Sequence, residues 1–202
     1  VTPSVAPVNS YRTIASGNWG DALIWEVSDG CNWIPASGGP SYTDNTITIR
    51  NAHAVSVTGN IVIDQTIVEA GGSLIKSAGI IFNDGTGDEL TVNGTFTWNS
   101  DELYGTGTMV INSGGTFNLS TGFTKNFSGP INITNAGTID WQGGQIGWNG
   151  ASPTITNSGN FIISGSNTTQ EANGGVGTLI NTGTITKTGG GPTTLRDFAV
   201  IN

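Results

Sequence analysis

Six times along this chain an apolar residue is followed four positions later by Gly, and two positions after that by another apolar residue. The frames are Val68-Gly72-Leu74, Leu90-Gly94-Phe96, Ile111-Gly115-Phe117, Ile133-Gly137-Ile139, Ile155-Gly159-Phe161 and Leu179-Gly183-Ile185. Successive glycines lie 22, 21, 22, 22 and 24 residues apart. A fixed period of this length marks a stacked repeat architecture, in which each unit buries its apolar face against its neighbours. Such a chain grows along one axis and offers a long surface rather than a cleft between domains.

Inside the repeat the pattern is alternation, as in Thr46-Ile47-Thr48-Ile49, Thr95-Phe96-Thr97-Trp98 and Thr138-Ile139-Asp140-Trp141. Period two means strands with one buried face, and no stretch sustains a helical period with caps. About 22 residues suffice for one coil of a parallel β-helix with two or three short strands. Stacked coils would lie about 4.8 Å apart.

Columns drawn through the frames give each position a role. Two residues after Gly stand Leu74, Phe96, Phe117, Ile139, Phe161 and Ile185, an inward apolar ladder. Four after Gly stand Lys76, Trp98, Leu119, Trp141, Ile163 and Lys187. The two lysines are expected where the core narrows or meets water. Directly after Gly come Ser73, Thr95, Thr116, Thr138, Asn160 and Thr184, expected to face outward. Two before Gly, the last three coils carry Asn135, Asn157 and Asn181, placed to pair their amides from coil to coil. A weaker first coil holds Ile49, Val55 and Val57, with His53 at the Gly position. Ile201 falls 22 residues after Leu179 and starts a further coil.

The fold expected is therefore all-β: a single-chain parallel β-helix of about seven coils of about 22 residues, over residues 41–202 and roughly 35 Å long. An extended arm, 1–10, and a Trp-rich cap, 11–40, precede it. A β-helix exposes core and unpaired backbone at its ends, and Trp19, Trp25 and Trp33 are placed to cover the first coil, with a Trp-lined ligand site as the alternative.

Composition narrows the function classes. Only 10% of residues are charged, and Gly numbers 32. Gly and Asn accept the left-handed backbone that tight turns use, while the regular apolar columns argue against disorder. The net charge of -8, with six basic residues spread singly, argues against nucleic acid and against anionic membrane surfaces. No apolar run approaches the length of a membrane span. Cys31 is the single cysteine, so no intrachain disulfide forms. The opening Val1-Thr2-Pro3-Ser4-Val5-Ala6-Pro7 fits a mature end left by signal-peptide removal. An extracellular or cell-surface location is the expectation.

The segments Ser16-Gly17-Asn18-Trp19, Ile24-Trp25-Glu26, Asp44-Asn45-Thr46-Ile47-Thr48-Ile49 and His53-Ala54-Val55-Ser56-Val57 form an ordered set. Over residues 11–75 it resembles the opening module of large secreted surface proteins of Bacteroidetes. Their pattern runs S-G-N-W, a second Trp, D-N-V-T-I, then G-H-T-V-T-V, leading into β-solenoid repeats. Ala52 stands here where that family carries Gly. The resemblance implies extracellular location, a right-handed parallel β-helix and surface or adhesive roles. It implies no catalytic site.

Residues that carry chemistry are sparse. His53 is the only His and has no Ser or Cys partner in a recognisable motif, and His/Cys metal-ligand spacing is absent. Paired carboxylates, as polysaccharide-cleaving β-helices need, would stand side by side in an outward column. The column Ile75, Thr97, Asn118, Asp140, Ile162, Thr186 holds one acid, so the chain reads as non-enzymatic. Asp84, Asp88 and Glu89 lie in an oxygen-rich loop that is a candidate calcium site, with a solvated acidic loop as the alternative. No other cofactor is implied. Tyr104, Phe123, Phe127 and Trp148 fall in variable segments. They are candidates for stacking on the sugar rings of a polysaccharide, with core packing as the alternative. The Thr-x-Thr rows are too broken for an ice-binding face. The Asn-x-Ser/Thr acceptors at Asn93, Asn118, Asn126, Asn132 and Asn167 are expected by chance in so Asn- and Thr-rich a chain.

The repeat ends without a visible C-terminal cap, and an open solenoid end is a template for strand addition. Head-to-tail self-association is the expectation, with Val1, Val5 and Val8 of the arm meeting Phe198, Val200 and Ile201 of the last coil. The function expected is a structural surface or fibre protein. A carbohydrate-binding or adhesive module ranks second, and a glycan-cleaving β-helix third.

Overall fold

In a computed structural model, which describes residues 6–83, 87–120, 122–172 and 174–202, the alternating segments form short strands, three to a coil. The first coil comprises Ile47–Ile49, Ala54–Val57 and Ile61–Ile63. The same order returns through seven coils to Gly177–Asn181, Thr184–Lys187 and Thr193–Thr194. Each strand pairs in parallel with its equivalents one coil before and one coil after, so three sheets run the length of the rod. The first sheet starts at Ile47–Ile49 in this series and continues past the seventh coil to Phe198–Ile201. Among the described residues the chain is all-β apart from one short 3-10 turn, Ala22–Ile24, capped by the Asp21 carboxylate accepting from Leu23 N–H at 2.9 Å.

The inward ladder is as expected over most of its length. Leu74, Phe96, Phe117, Ile139 and Phe161 follow one another in register and are buried. Ile185 continues the register but is 39% exposed, because the second sheet ends at its strand. Ser73, Thr95, Thr116, Thr138, Asn160 and Thr184 stack on the outer side, half-buried or exposed.

The Asn column proves to be an interior column that changes chemistry along its length. Ile49, Val68, Val92 and Ile111 occupy it in the first four coils, and Asn135, Asn157 and Asn181 in the last three. Each amide donates to the next: Asn135 Nδ2 to Asn157 Oδ1 at 2.6 Å, Asn157 Nδ2 to Asn181 Oδ1 at 2.7 Å, and Asn181 Nδ2 to Asn202 Oδ1 at 2.6 Å. Asn135 Oδ1 also accepts Gly137 N–H at 3.1 Å, closing the tight corner. Buried amides are tolerated because the ladder and the corner backbone satisfy them.

The period-setting glycines are required for space. A Cβ on Gly94, Gly115, Gly137, Gly159 or Gly183 would lie 2.2 to 2.3 Å from a main-chain oxygen of the preceding coil. Left-handed backbone falls elsewhere, at Gly71 and Gly114 beside two of these glycines and at Ala52 with φ 64.

At the N-terminal end the parallel stack begins earlier than residue 41. Tyr11–Thr13 pairs in parallel with Ile47–Ile49, and Gly17–Asn18 with Ala54–Val57. Trp25–Ser28 then adds antiparallel to Tyr11–Thr13, and Trp33–Pro35 antiparallel to Trp25–Ser28, as the last strand of the sheet at this end. Trp19 and Trp25 are buried edge to face at 5.4 Å. Their ring N–H groups donate to the Pro40 and Trp19 carbonyls, each at 2.9 Å. Trp33 is only half-buried and lies outside the core, with the Arg12 guanidinium 4.1 Å from its ring centre.

Candidate functional site

Two regions combine exposed polar or apolar groups with a defined geometry: the cleft beside the N-terminal cap and the C-terminal face. A third, the corner between the second and third sheets, is internal and explains where the basic residues went.

At that corner one column supplies N–H donors to turn carbonyls. Lys76 Nζ donates to the Ser100 carbonyl at 2.8 Å, and Trp98 Nε1 to the Ser100 and Asp101 carbonyls at 2.9 Å. Trp141 Nε1 donates to the Gly144 carbonyl at 3.3 Å. Leu119 has no donor to offer, and Lys125 takes its place, reaching the Ser120 and Phe123 carbonyls at 2.6 and 3.0 Å. Lys187 bonds the Gly165 and Gly189 carbonyls at 2.6 and 2.7 Å. Lys76 therefore does not mark a wet core, since it is fully buried; only Lys187 is exposed. Burial pushes the Lys76 ammonium down to about 7, against the opposing pull of Asp101 and Glu102. Burial likewise pushes Lys125 down to about 8.

The predicted sugar-stacking aromatics separate into two pairs. Phe127 and Trp148 are core residues, 1% and 0% exposed, stacked at 5.8 Å, and they present no ring to a surface ligand. Their positions lie in inward registers of the third sheet, which the irregular spacing of that segment concealed. Phe123 is 69% exposed, and Tyr104 is half-buried on the outer face. Burial and the neighbouring Glu102 raise the Tyr104 phenol above its ordinary value.

In the acidic loop, Asp84 lies outside the described residues. Asp88 is exposed, whereas Glu89 is fully buried and its carboxylate accepts the Thr108 N–H beneath Gly107. Glu89 is thus turned into the stack, away from Asp88. Asp140 accepts from Ser164 Oγ at 2.6 Å and from Gln142 Nε2 at 3.1 Å, with no second carboxylate in its column. His53 Nδ1 lies 2.7 Å from Thr13 Oγ1, and that oxygen accepts Arg50 N–H at 2.9 Å. The histidine ties the first coil to the strand before it.

Of the assembly residues, Val1 and Val5 lie outside the described residues. The described part of the arm turns back on its own cap. Asn9 has φ 61. Its N–H donates to the Ser28 carbonyl at 2.9 Å, and Asn45 Nδ2 donates to the Val8 carbonyl at 2.6 Å. Residues 6–10 are therefore held within the chain, although Val8 remains 52% exposed. Phe198 stacks on Trp148 at 5.1 Å and covers the end of the aromatic core. The C-terminal core thus has a partial plug where none was expected. Val200 continues the inward Leu179 register and is 44% exposed, and Ile201 is 56% exposed.

The cleft beside the cap has a volume of about 460 Å³. Arg12, Trp33, Thr46, Thr48, Arg50 and Glu69 form its walls, with Ser10 in the floor. Parallel pairing sets Arg12 against Thr48, and alternation along the strand brings Thr46, Thr48 and Arg50 to one side. Arg12 Nε pairs with Glu26 Oε1 at 2.5 Å. The site was not legible as a whole in the sequence because its residues come from four separated segments, none with a motif.

Comparison with models of known protein families, with curated protein sequences and with solved structures finds no match in any of the three.

Proposed function

We propose that this chain is a structural element of an extracellular surface assembly, a rigid β-solenoid that sets length and spacing and is extended at its Phe198–Ile201 end. The observation that carries this reading is the continuity of the stack. Three parallel sheets run in register through seven coils, with an amide ladder and stacked aromatic rings inside them. Each coil holds its neighbours through main-chain bonds on three sides, so bending the rod breaks several bonds at once. The low charge, the Gly, Asn and Thr content and the resemblance of residues 11–75 to secreted surface modules favour the extracellular setting.

Extension at the C-terminal face has a physical basis. Phe198–Ile201 and Thr184–Lys187 are the last strands of their sheets, and their outer edges have no partner strand among the described residues. Ile185, Val200 and Ile201 are exposed beside them. A further rung in the same register, contributed in a fibre by another copy, would complete these edges and cover these side chains.

Electron microscopy of the purified protein tests this. Filaments one coil in width are expected, and a Val200→Lys, Ile201→Lys variant should disperse them while keeping its β-sheet circular dichroism. Monodisperse single rods of the unsubstituted protein at about 1 mM would overturn the assembly reading.

A further inference from the structure

The cleft beside the cap carries an inference independent of assembly. We propose that it binds an anionic sugar residue of a polysaccharide, with Arg12 and Arg50 holding the charged group and Trp33, Thr46 and Thr48 the ring and its hydroxyls.

The argument begins with the distribution of positive charge. The chain has six Lys and Arg residues against 14 acids. Lys76 and Lys125 are buried and committed to turn carbonyls. Of the remaining four, Arg12 and Arg50 stand in one cleft. On so acidic a surface, two guanidinium groups in one concavity form a local attraction for an anion.

Both keep donors for a ligand. Arg12 spends its Nε–H on Glu26, and its terminal N–H groups have no partner among the described residues. Arg50 uses only its main-chain N–H, and its guanidinium likewise has none. Planar terminal N–H pairs match a carboxylate or a sulfate with two parallel bonds. Packing on Trp33, 4.1 Å from the ring centre, holds the Arg12 guanidinium in place, so little side-chain freedom is lost on binding. The carboxylates nearby do not compete freely. Glu26 is bonded to Arg12, and Glu69 Oε2 accepts Asn51 N–H at 3.0 Å.

Size and lining decide between a simple ion and a sugar. A volume of about 460 Å³ far exceeds an inorganic anion and falls in the usual range for small organic ligands. Its walls combine the hydroxyls of Thr46 and Thr48 with one indole, the combination that suits a polyhydroxylated ring. A second groove of about 330 Å³ shares Thr46 with the cleft and is lined further by Ile67, Asp88 and Thr91. It offers the next sugar of a chain a neighbouring recess.

Isothermal titration of the full chain tests the site with three oligosaccharides of equal length: an oligogalacturonate, a sulfated chondroitin oligomer and a neutral malto-oligomer. At least one anionic oligomer is expected to bind, more weakly as salt is raised, and the neutral one is not. Binding of the oligogalacturonate alone assigns the anion as carboxylate; binding of the chondroitin oligomer alone assigns it as sulfate. Arg50→Gln should weaken binding about ten-fold, and Trp33→Ala by a similar factor. Lys187→Ala, an exposed cation at the far end, should leave it unchanged. Arg50 is exposed and its guanidinium has no partner among the described residues, so its replacement is not expected to alter the melting temperature. Equal binding of the neutral oligomer, binding indifferent to Arg50→Gln, no binding at about 1 mM ligand, or equally tight binding of inorganic sulfate alone would each overturn the proposal.

Discussion

Lys76 and Trp98 stand in register one coil apart and donate to the same oxygen. The Lys76 ammonium and the Trp98 indole both reach the Ser100 carbonyl, at 2.8 and 2.9 Å, with the ammonium 5.0 Å from the indole ring centre. A basic and an aromatic residue are equivalent here because each brings an apolar shaft and a terminal N–H.

That pair has a pH signature. The Lys76 ammonium is held near pH 7 in the fold, while in the unfolded chain it keeps the ordinary value of 10.5. Between these limits the unfolded chain binds the extra proton, so stability rises with pH across that window. Lys125 adds the same sign from about pH 8. The unfolding free energy from urea titrations should therefore climb between pH 6.5 and 9.5, by up to about 1.4 kcal/mol per pH unit per lysine. Lys76→Met should flatten the lower part of the rise. An unchanged slope in that variant would contradict the assignment. The raised phenols of Tyr11 and Tyr104 act with the opposite sign only at higher pH.

The amide ladder predicts a steep gradient of mutational cost. Asn157 is fully buried and central, accepting from Asn135 and donating to Asn181. Asn157→Leu should cost about 2–4 kcal/mol, because it strands buried polar groups on both neighbours. Asn202→Ala, at the exposed end of the ladder, should cost under about 0.5 kcal/mol. Chemical denaturation of the two variants compares them directly, and equal costs would rule out a role for the ladder in stability.

The period-setting glycines predict intolerance of a single methyl group. In Gly137→Ala the new Cβ would meet the Gly115 carbonyl oxygen at 2.3 Å and the Asn112 carbonyl oxygen at 2.4 Å. Main chain cannot yield as a side chain does, so a loss of about 1–3 kcal/mol is expected. Gly59→Ala, with nothing within 4 Å and no left-handed φ, should be neutral within about 0.5 kcal/mol. Thermal melts of both variants decide it.

At Ala52 the prediction runs the other way. The residue adopts φ 64 and donates its N–H to the Gly71 carbonyl at 3.1 Å. The turn has the left-handed geometry that Gly adopts without strain. Left-handed backbone disfavours a Cβ by roughly 1–2 kcal/mol, partly offset by the greater freedom of Gly in the unfolded chain. Ala52→Gly should raise stability by about 0.5–1 kcal/mol; a loss of stability would mean that the Ala52 methyl has a packing role.

Much of this was legible in the sequence, and the misreadings have a common source. Alternation and period identified the strands, the coil length and the outward Thr column. The apolar residue four before Gly, however, merges two columns. Leu90, Ile133, Ile155 and Leu179 lie in one, and Val68 and Ile111 in the next. The corner between the first and second sheets is two residues long in some coils and four in others, for example Asn93–Gly94 against 69–72. A constant spacing in sequence thus maps onto two positions in space. The third sheet follows corners of irregular length, which is why Phe127 and Trp148 read as loop aromatics.

What the sequence determined by itself is the architecture. A hydrophobic pattern with period two inside a period of about 22 residues leaves stacked short strands as the arrangement that buries its apolar face. The tertiary structure alone decided which side chains meet across coils. Lys76 met Ser100, Glu89 folded beneath Gly107, Phe198 returned to Trp148, and Arg12, Trp33 and Arg50 converged on one cleft. These contacts join residues from neighbouring or distant coils, and their geometry depends on how each corner turns. Pattern reports the environment a residue needs; only the packed backbone says which partner provides it.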